Sequence, residues 1–229
     1  MTVPTPDHPS LGDVRRHPSH PVFARVYQRL SAATEAAGNA QHRQRLLAGL
    51  AGRVVEIGAG NGLNFGHYPA TVTEVVAIEP EPFLRARASQ AAAQAQVPVT
   101  VLDGTAEAVS LADGSMDAGV ASLVLCSVVD QAAVLAELHR VIRPGGELRF
   151  YEHVLADDPR LARRQRRADH VWPWFMGGCH IARTTETAIV AAGFEIFDCD
   201  QFLFPPCWIA RLSAPHVLGR ARRPWLQFA

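Results

Sequence analysis

What most constrains this chain is a regular alternation of short apolar stretches with amphipathic ones between residues 52 and 154. RVVEIGA, TEVVAIE, VPVTVLD and MDAGVASLVL read as four strands. ELRFYEHV reads as a fifth, after a turn at Pro144-Gly145-Gly146. The fourth is nearly continuous in apolar residues, as a strand covered on both faces must be. Residues 81–95 and 131–142 read as helices between strands, the second with Val134, Leu135, Leu138 and Val141 on one side. A short helix is expected near residues 63–67. Strands separated by helices argue for an α/β fold with a doubly wound, mostly parallel sheet. Upstream, residues 22–38 carry Phe23, Val26, Tyr27 and Leu30 at helical spacing, and residues 42–50 form a second short helix. Downstream, residues 157–182 interrupt the alternation as an insert, and residues 184–192 read as a helix. FEIFDCDQF and residues 207–217 then read as two last strands, paired as a hairpin around Pro205-Pro206. The expected organisation is a flexible tail (1–21), a helical lid (22–50), one domain (51–217) and a C-terminal tail (218–229).

Composition narrows the chemistry. A chain of 229 residues, 48% hydrophobic, can bury one sizeable core. Its 22 basic residues are all arginine. Without lysine there is no Schiff-base catalysis, and a phosphate-loop NTPase is excluded with it. The 22 acidic residues bring the net charge to zero, so no global field draws the chain to nucleic acid or an anionic membrane. Cys126, Cys179, Cys199 and Cys207 stand 53, 20 and 8 residues apart. These gaps suggest neither a zinc site nor a disulfide framework, so no metal is expected and the setting is a reducing cytoplasm. The longest apolar stretch, residues 118–129, falls short of the ~20 residues of a membrane span. The first residues lack the basic start and apolar core of a signal peptide.

The strongest local signal is Glu56-Ile57-Gly58-Ala59-Gly60-Asn61-Gly62, at the end of the first strand. A glycine turn there lets the backbone approach a ligand beyond the carboxyl ends of the strands. The spacing is G-x-G-x-G with an acid two residues ahead, not the G-x-G-x-x-G of a pyrophosphate site. Glu79 closes the second strand, where a carboxylate can accept both hydroxyls of a ribose. Together these describe a nucleoside with a cationic tail that carries no phosphate, and S-adenosylmethionine fits.

VVEIGAGNG, AIEP, ADGSMD and ELHRVIRPGGELRFYEHV, read together, resemble a class I S-adenosylmethionine-dependent methyltransferase over residues 50–217. The resemblance implies a Rossmann-like sheet of seven strands with an antiparallel last strand. It implies that Glu56, Gly58, Ala59, Gly60 and Gly62 line the methionine side and that Glu79 and Pro80 hold the ribose. Thr105, Ala106 and Glu107 then grip the adenine, and Ser122 and Leu123 approach the methionine amino group. The run Leu123–Val128 is similar to the subgroup named methyltransferase-like seven, as are RPGG, EHV, G-C-x-x-x-R-x-T at Gly178–Thr185 and P-H-x-x-G at Pro215–Gly219. Members of that subgroup methylate small thiols, and related bacterial enzymes cap dithiol natural products. The implied activity is methyl transfer to a small-molecule acceptor, a thiol first. A carbon or oxygen acceptor on a quinone or phenolic metabolite, and a non-catalytic S-adenosylmethionine-binding module, stay open as alternatives.

His153 follows Glu152 at the end of the fifth strand and is the candidate general base; capping the strand end is its other reading. His180 is a candidate for the acceptor wall. Cys126 reads as a small buried hydrophobe rather than a nucleophile. In the insert, Arg160, Arg163, Arg164 and Arg167 share a helix face, read as a solvated surface or as a basic rim for an anionic acceptor or membrane contact. Trp172, Trp174 and Phe175 either roof the acceptor pocket or complete the core. Net neutrality argues against a nucleic-acid substrate.

Overall fold

The computed structural model describes residues 21–205 and 208–225. Residues 1–20 of the expected tail (1–21), Pro206, Cys207 and residues 226–229 lie outside the described residues, while Pro21 opens the first helix. Seven strands form one sheet: β1 (Gly52–Ile57), β2 (Val72–Ile78), β3 (Val99–Leu102), β4 (Met116–Ser122), β5 (Ile142–His153), β6 (Glu195–Leu203) and β7 (Pro215–Arg222). Their order is β3-β2-β1-β4-β5-β7-β6. Strands β1 to β5 pair in parallel, and β7 runs antiparallel to both of its neighbours. The order reverses between β1 and β4, which opens a crevice beyond their carboxyl ends.

Helices α1 (Pro21–Thr34), α2 (Ala40–Leu47), α3 (Pro82–Ala92), α4 (Gln131–Val141), α5 (Pro159–Ala168), α6 (Trp172–Phe175) and α7 (Thr185–Ala191) complete the fold. Successive strand residues face opposite ways, so Val55 and Ile57 pack with Leu135, Leu138 and Phe150 on one face of the sheet. Val54 packs with Leu46, Leu47, Phe65 and Tyr151 on the other. All four apolar residues expected on the inner side of α4 are fully buried. Each such side chain contributes about 1.5–3 kcal/mol of transfer free energy.

Four local expectations are corrected. Of the apolar residues spaced along α1, Tyr27 turns inward to line the cavity beside Gly60, next to buried Ala24 and Ser31, while Val26 and Leu30 are about half exposed at 46% and 50%. Small residues are what let the helix lie close to the domain. The last two strands pair, but not through a tight hairpin: residues 204–214 separate them, with a 3-10 turn at Trp208–Arg211. Strand β7 also runs on to Arg222, through residues assigned to a tail. Gly219 and Arg220 interrupt the apolar run in sequence. Pairing with β5 and β6 carries the strand on regardless, and glycine is what fits there, since a side chain at Gly219 would meet the Phe150 ring at 2.4 Å. Pro144-Gly145-Gly146, expected as a turn before β5, lies within it. The Gly145 N–H donates to the Arg223 carbonyl (2.8 Å) and the Arg223 N–H to the Gly146 carbonyl (2.9 Å).

Candidate active site

The carboxyl ends of β1, β2, β4 and β5 meet around a cavity of about 520 Å³, a size typical of small-molecule sites. Gly58 and Gly60 form its floor with φ of +60° and +58°. A side chain on Gly58 would stand 2.2 Å from Val124 Cγ2, so only glycine lets the strand ends close up here. Glu79, 5% exposed, accepts the Gly60 N–H (2.7 Å) on one oxygen and the Glu81 N–H (2.9 Å) on the other. Each oxygen keeps a further lone pair. Burial pushes the carboxyl up to about 7, against the pull of the two amides.

On the β4 side the chain turns sharply. Leu123 is the only non-glycine residue with positive φ (+57°) among the described residues. Such strain persists where surrounding contacts over-determine the backbone. The Leu123 N–H donates to the Tyr151 carbonyl (2.6 Å), and fully buried Glu152 accepts the N–H groups of Val124, Leu125 and Cys126 at 3.1, 2.9 and 3.1 Å. Burial holds the Glu152 carboxyl well above the usual carboxylate range. Arg183 donates to the carbonyls of Leu125 and Val128 (2.5 and 2.6 Å). This clamp places Ser122, Leu123, Val124 and Cys126 on the cavity wall.

Of the residues proposed for the cofactor, Gly58, Gly60, Glu79, Pro80, Ala106, Ser122 and Leu123 line the cavity. Glu56, Ala59, Gly62, Thr105 and Glu107 do not. Glu56 sits behind the glycine turn, 2% exposed, where it accepts from Asn64 Nδ2 (2.8 Å) and the Tyr68 hydroxyl (2.6 Å). Burial pushes it up to about 7 as well. Arg43 donates to Asn64 Oδ1 (2.8 Å), Ser122 Oγ (3.2 Å) and Glu35 Oε1 (2.9 Å), which ties α2 to the strand ends. A side chain on Gly62 would stand 2.8 Å from Ala91 Cβ and from the Phe65 ring, so this glycine seats α3 rather than a ligand. Sequence reasoning missed Arg43, Asn64 and Tyr68. No local spacing marks residues that meet across 21 positions of chain.

The opposite wall comes from the insert. His180, in the wall, lies with Nδ1 2.9 Å from Asp169 Oδ2, while Asp169 Oδ1 accepts the Ile181 N–H (2.7 Å). Trp172 and Met176 line the cavity, whereas Trp174 and Phe175 are 84% and 78% exposed and belong to neither roof nor core. The arginines of α5 are exposed. His153 also lines the cavity, its ring 4.5 Å from that of His216. Its Nδ1 stands 3.6 Å from Cys126 Sγ and 3.5 Å from Cys179 Sγ. The two sulfurs are 3.6 Å apart. Spacing along the chain concealed this cluster, because its members sit on a strand end and two separate loops, 27 and 26 residues apart.

The cavity suits a cationic nucleoside. Among the described residues no arginine lines it, while Glu79 and Glu81 do, a lining that favours a cationic ligand over a phosphate. A doubly wound sheet with such a glycine floor is the architecture shared by class I S-adenosylmethionine-dependent methyltransferases. The sequence matches the family described as "Methyltransferase domain" over residues 55–150. It is 34% identical over 181 residues to the human thiol S-methyltransferase TMT1B, covering 76% of this chain and 73% of the relative. It is 33% identical over 172 residues to human TMT1A, covering 73% and 69%. Among solved structures it superposes on an S-adenosylmethionine-dependent methyltransferase from Thermotoga maritima with TM-score 0.67, at 22% identity over 88% of this chain and 97% of that one. It also superposes on the N-methyltransferase NodS of Bradyrhizobium japonicum in complex with S-adenosylhomocysteine, with TM-score 0.62, at 19% identity over 83% and 87%. The chain therefore belongs to the family of the thiol S-methyltransferases. It is a methyltransferase with S-adenosylmethionine as cofactor.

Proposed function

We propose that the chain transfers the methyl group of S-adenosylmethionine to the sulfur of a small-molecule thiol. The observation that carries this is the 33–34% identity to thiol S-methyltransferases over most of both chains. The cofactor supplies a methyl group already activated on a sulfonium. The residues of this chain then bind, orient and exclude water. In this reading Gly58 and Gly60 admit the methionine part close to the backbone, Glu79 accepts the ribose hydroxyls, and Ala106 lies toward the adenine. Val128, Trp172 and Met176 offer the acceptor an apolar wall. A thiol with pKa near ~8.5 is already partly ionised at neutral pH, so a strong general base is not required. His153 Nδ1 is turned to two thiols, which leaves any proton acceptance from substrate to its other nitrogen or to His180.

The test is a panel of thiols, phenols and quinols incubated with the protein and S-adenosylmethionine, read by mass for a gain of one methylene. Methylated thiols support the reading. Methylation of phenols or quinols alone replaces it with a carbon or oxygen methyltransferase, and tight cofactor binding without any product replaces it with a binding module.

A further inference from the structure

We propose that Cys126, Cys179 and His153 form a zinc site whose fourth coordination position opens into the acceptor half of the cavity. Zinc in proteins is held tetrahedrally, with bonds of ~2.3 Å to thiolate sulfur and ~2.0–2.1 Å to imidazole nitrogen. At tetrahedral angles those bonds set two sulfurs about 3.8 Å apart and each sulfur about 3.6 Å from the nitrogen. The structure has 3.6 Å between the sulfurs, and 3.6 and 3.5 Å from Cys126 and Cys179 to His153 Nδ1. Three donor atoms thus already mark one face of a zinc tetrahedron, to within about 0.2 Å of the bond lengths' requirement.

Donor type and support agree with that geometry. Two thiolates with one imidazole select zinc over magnesium or calcium, which take oxygen. Cys126 is fixed through the Glu152 clamp on its N–H. Its carbonyl accepts the His180 N–H (2.7 Å), which brings the loop bearing Cys179 across the cavity. His153 is packed against His216, whose Nδ1 lies 2.8 Å from the Ala214 carbonyl. Both cysteines are buried, at 1% and 8% exposure, yet both line the cavity with His153. Three protein ligands and an open position are the pattern of catalytic rather than structural zinc.

Binding would release one proton from each of the two thiols, leaving a complex without net charge. The open position takes a soft donor. Resting on the S-methylation reading above, that donor is the acceptor thiol, which loses its proton to solvent on coordination. Its sulfur electron pair then forms the new S–CH₃ bond, and the pair of the broken sulfonium–methyl bond stays on the cofactor sulfur. The metal keeps its oxidation state, and the thioether product, carrying no charge, is a weaker ligand that leaves.

The test uses the full chain, reduced, stripped with a chelator and dialysed against zinc or cobalt(II). One equivalent of zinc is expected by mass spectrometry of the metal, with thiolate-to-cobalt charge transfer and the intense visible bands of four-coordinate cobalt. Cys126→Ser, Cys179→Ser and His153→Gln should each lose that equivalent, and Cys199→Ser should keep it. Wild-type protein that retains no zinc, or that gives only the weak bands of six-coordinate cobalt, overturns the site even where the variants fail to fold. So does wild-type protein whose Cys126 and Cys179 are joined as a disulfide in the presence of zinc. Addition of an acceptor thiol should shift the cobalt bands. Bands unmoved by a thiol that the enzyme methylates refute coordination of the acceptor. Thiol methylation by metal-free protein at an undiminished rate refutes the metal's part while leaving the S-methylation reading intact.

Discussion

Glu79→Gln is the substitution that most sharply tests how the cofactor is held. Glu79 already receives one backbone N–H on each oxygen, so a ribose would occupy the remaining lone pairs of an ionised carboxylate. Glutamine keeps the shape but turns one acceptor into a donor aimed at an N–H. A hydrogen bond to a charged group contributes about 1.5–3 kcal/mol, so the dissociation constant for S-adenosylmethionine should rise about 10- to 150-fold. The pH dependence is a second arm. Burial sets the Glu79 pKa at about 7 in the cofactor-free protein. A ligand that selects the ionised form lowers that pKa on binding, so affinity is full above 7 and falls as pH drops below it. With the protonated form inactive in binding, the ionised fraction at pH 6 is about one in eleven, and affinity should fall about tenfold between pH 8 and 6. Isothermal calorimetry across that range measures both arms, with a thermal melt confirming that the variant is folded. The glutamine variant should lose the Glu79 part of the pH slope. A wild-type constant flat from pH 8 to 6, or a folded variant with unchanged affinity, would refute the assignment.

Three further outcomes follow from packing and charge. Gly62→Ala should destabilise by about 2–4 kcal/mol, combining a strained φ of +81° with a side chain 2.8 Å from Ala91 and Phe65; a urea midpoint within error of wild type would show that α3 can shift at no cost. Tyr68→Phe removes the 2.6 Å hydrogen bond to buried Glu56 and should cost about 1–3 kcal/mol at pH 8. Because Glu56 sits near 7, the loss should shrink toward pH 6 as the carboxyl protonates, and a loss that grows on acidification would contradict it. Trp172→Ala should raise KM for the acceptor about tenfold, the effect of ~1.4 kcal/mol of lost contact, with the S-adenosylmethionine dissociation constant unchanged; a change confined to the cofactor would misplace the acceptor wall.

Much of the sheet could be read along the chain, because strand and helix periods are local. The apolar runs of β1 and β2 and the inner face of α4 lie where the pattern put them, whereas the fourth run, read as strand to Leu125, ends as strand at Ser122, where the chain turns at Leu123. The glycine turn was legible for the same reason: Gly58 and Gly60 stand directly beside the strand that needs them. Elements whose limits depend on partners were not. Strand β7 passes Gly219 because two neighbours hydrogen-bond it, and α1 turns small residues inward because another surface lies close.

The site divides along the same line. Sequence by itself determined a lysine-free, doubly wound domain with an acid-lined glycine turn, and from it the class of ligand, since those features reside in a few consecutive residues. Tertiary structure decided that Glu56 faces Tyr68 and Asn64 rather than the cavity, and that Glu152 gathers three amides to bend the chain at Leu123. It alone brought Cys126, His153 and Cys179 within 3.6 Å of one another. Those contacts join a strand end to separate loops, and only the folding of the sheet and its insert brings such distant positions together.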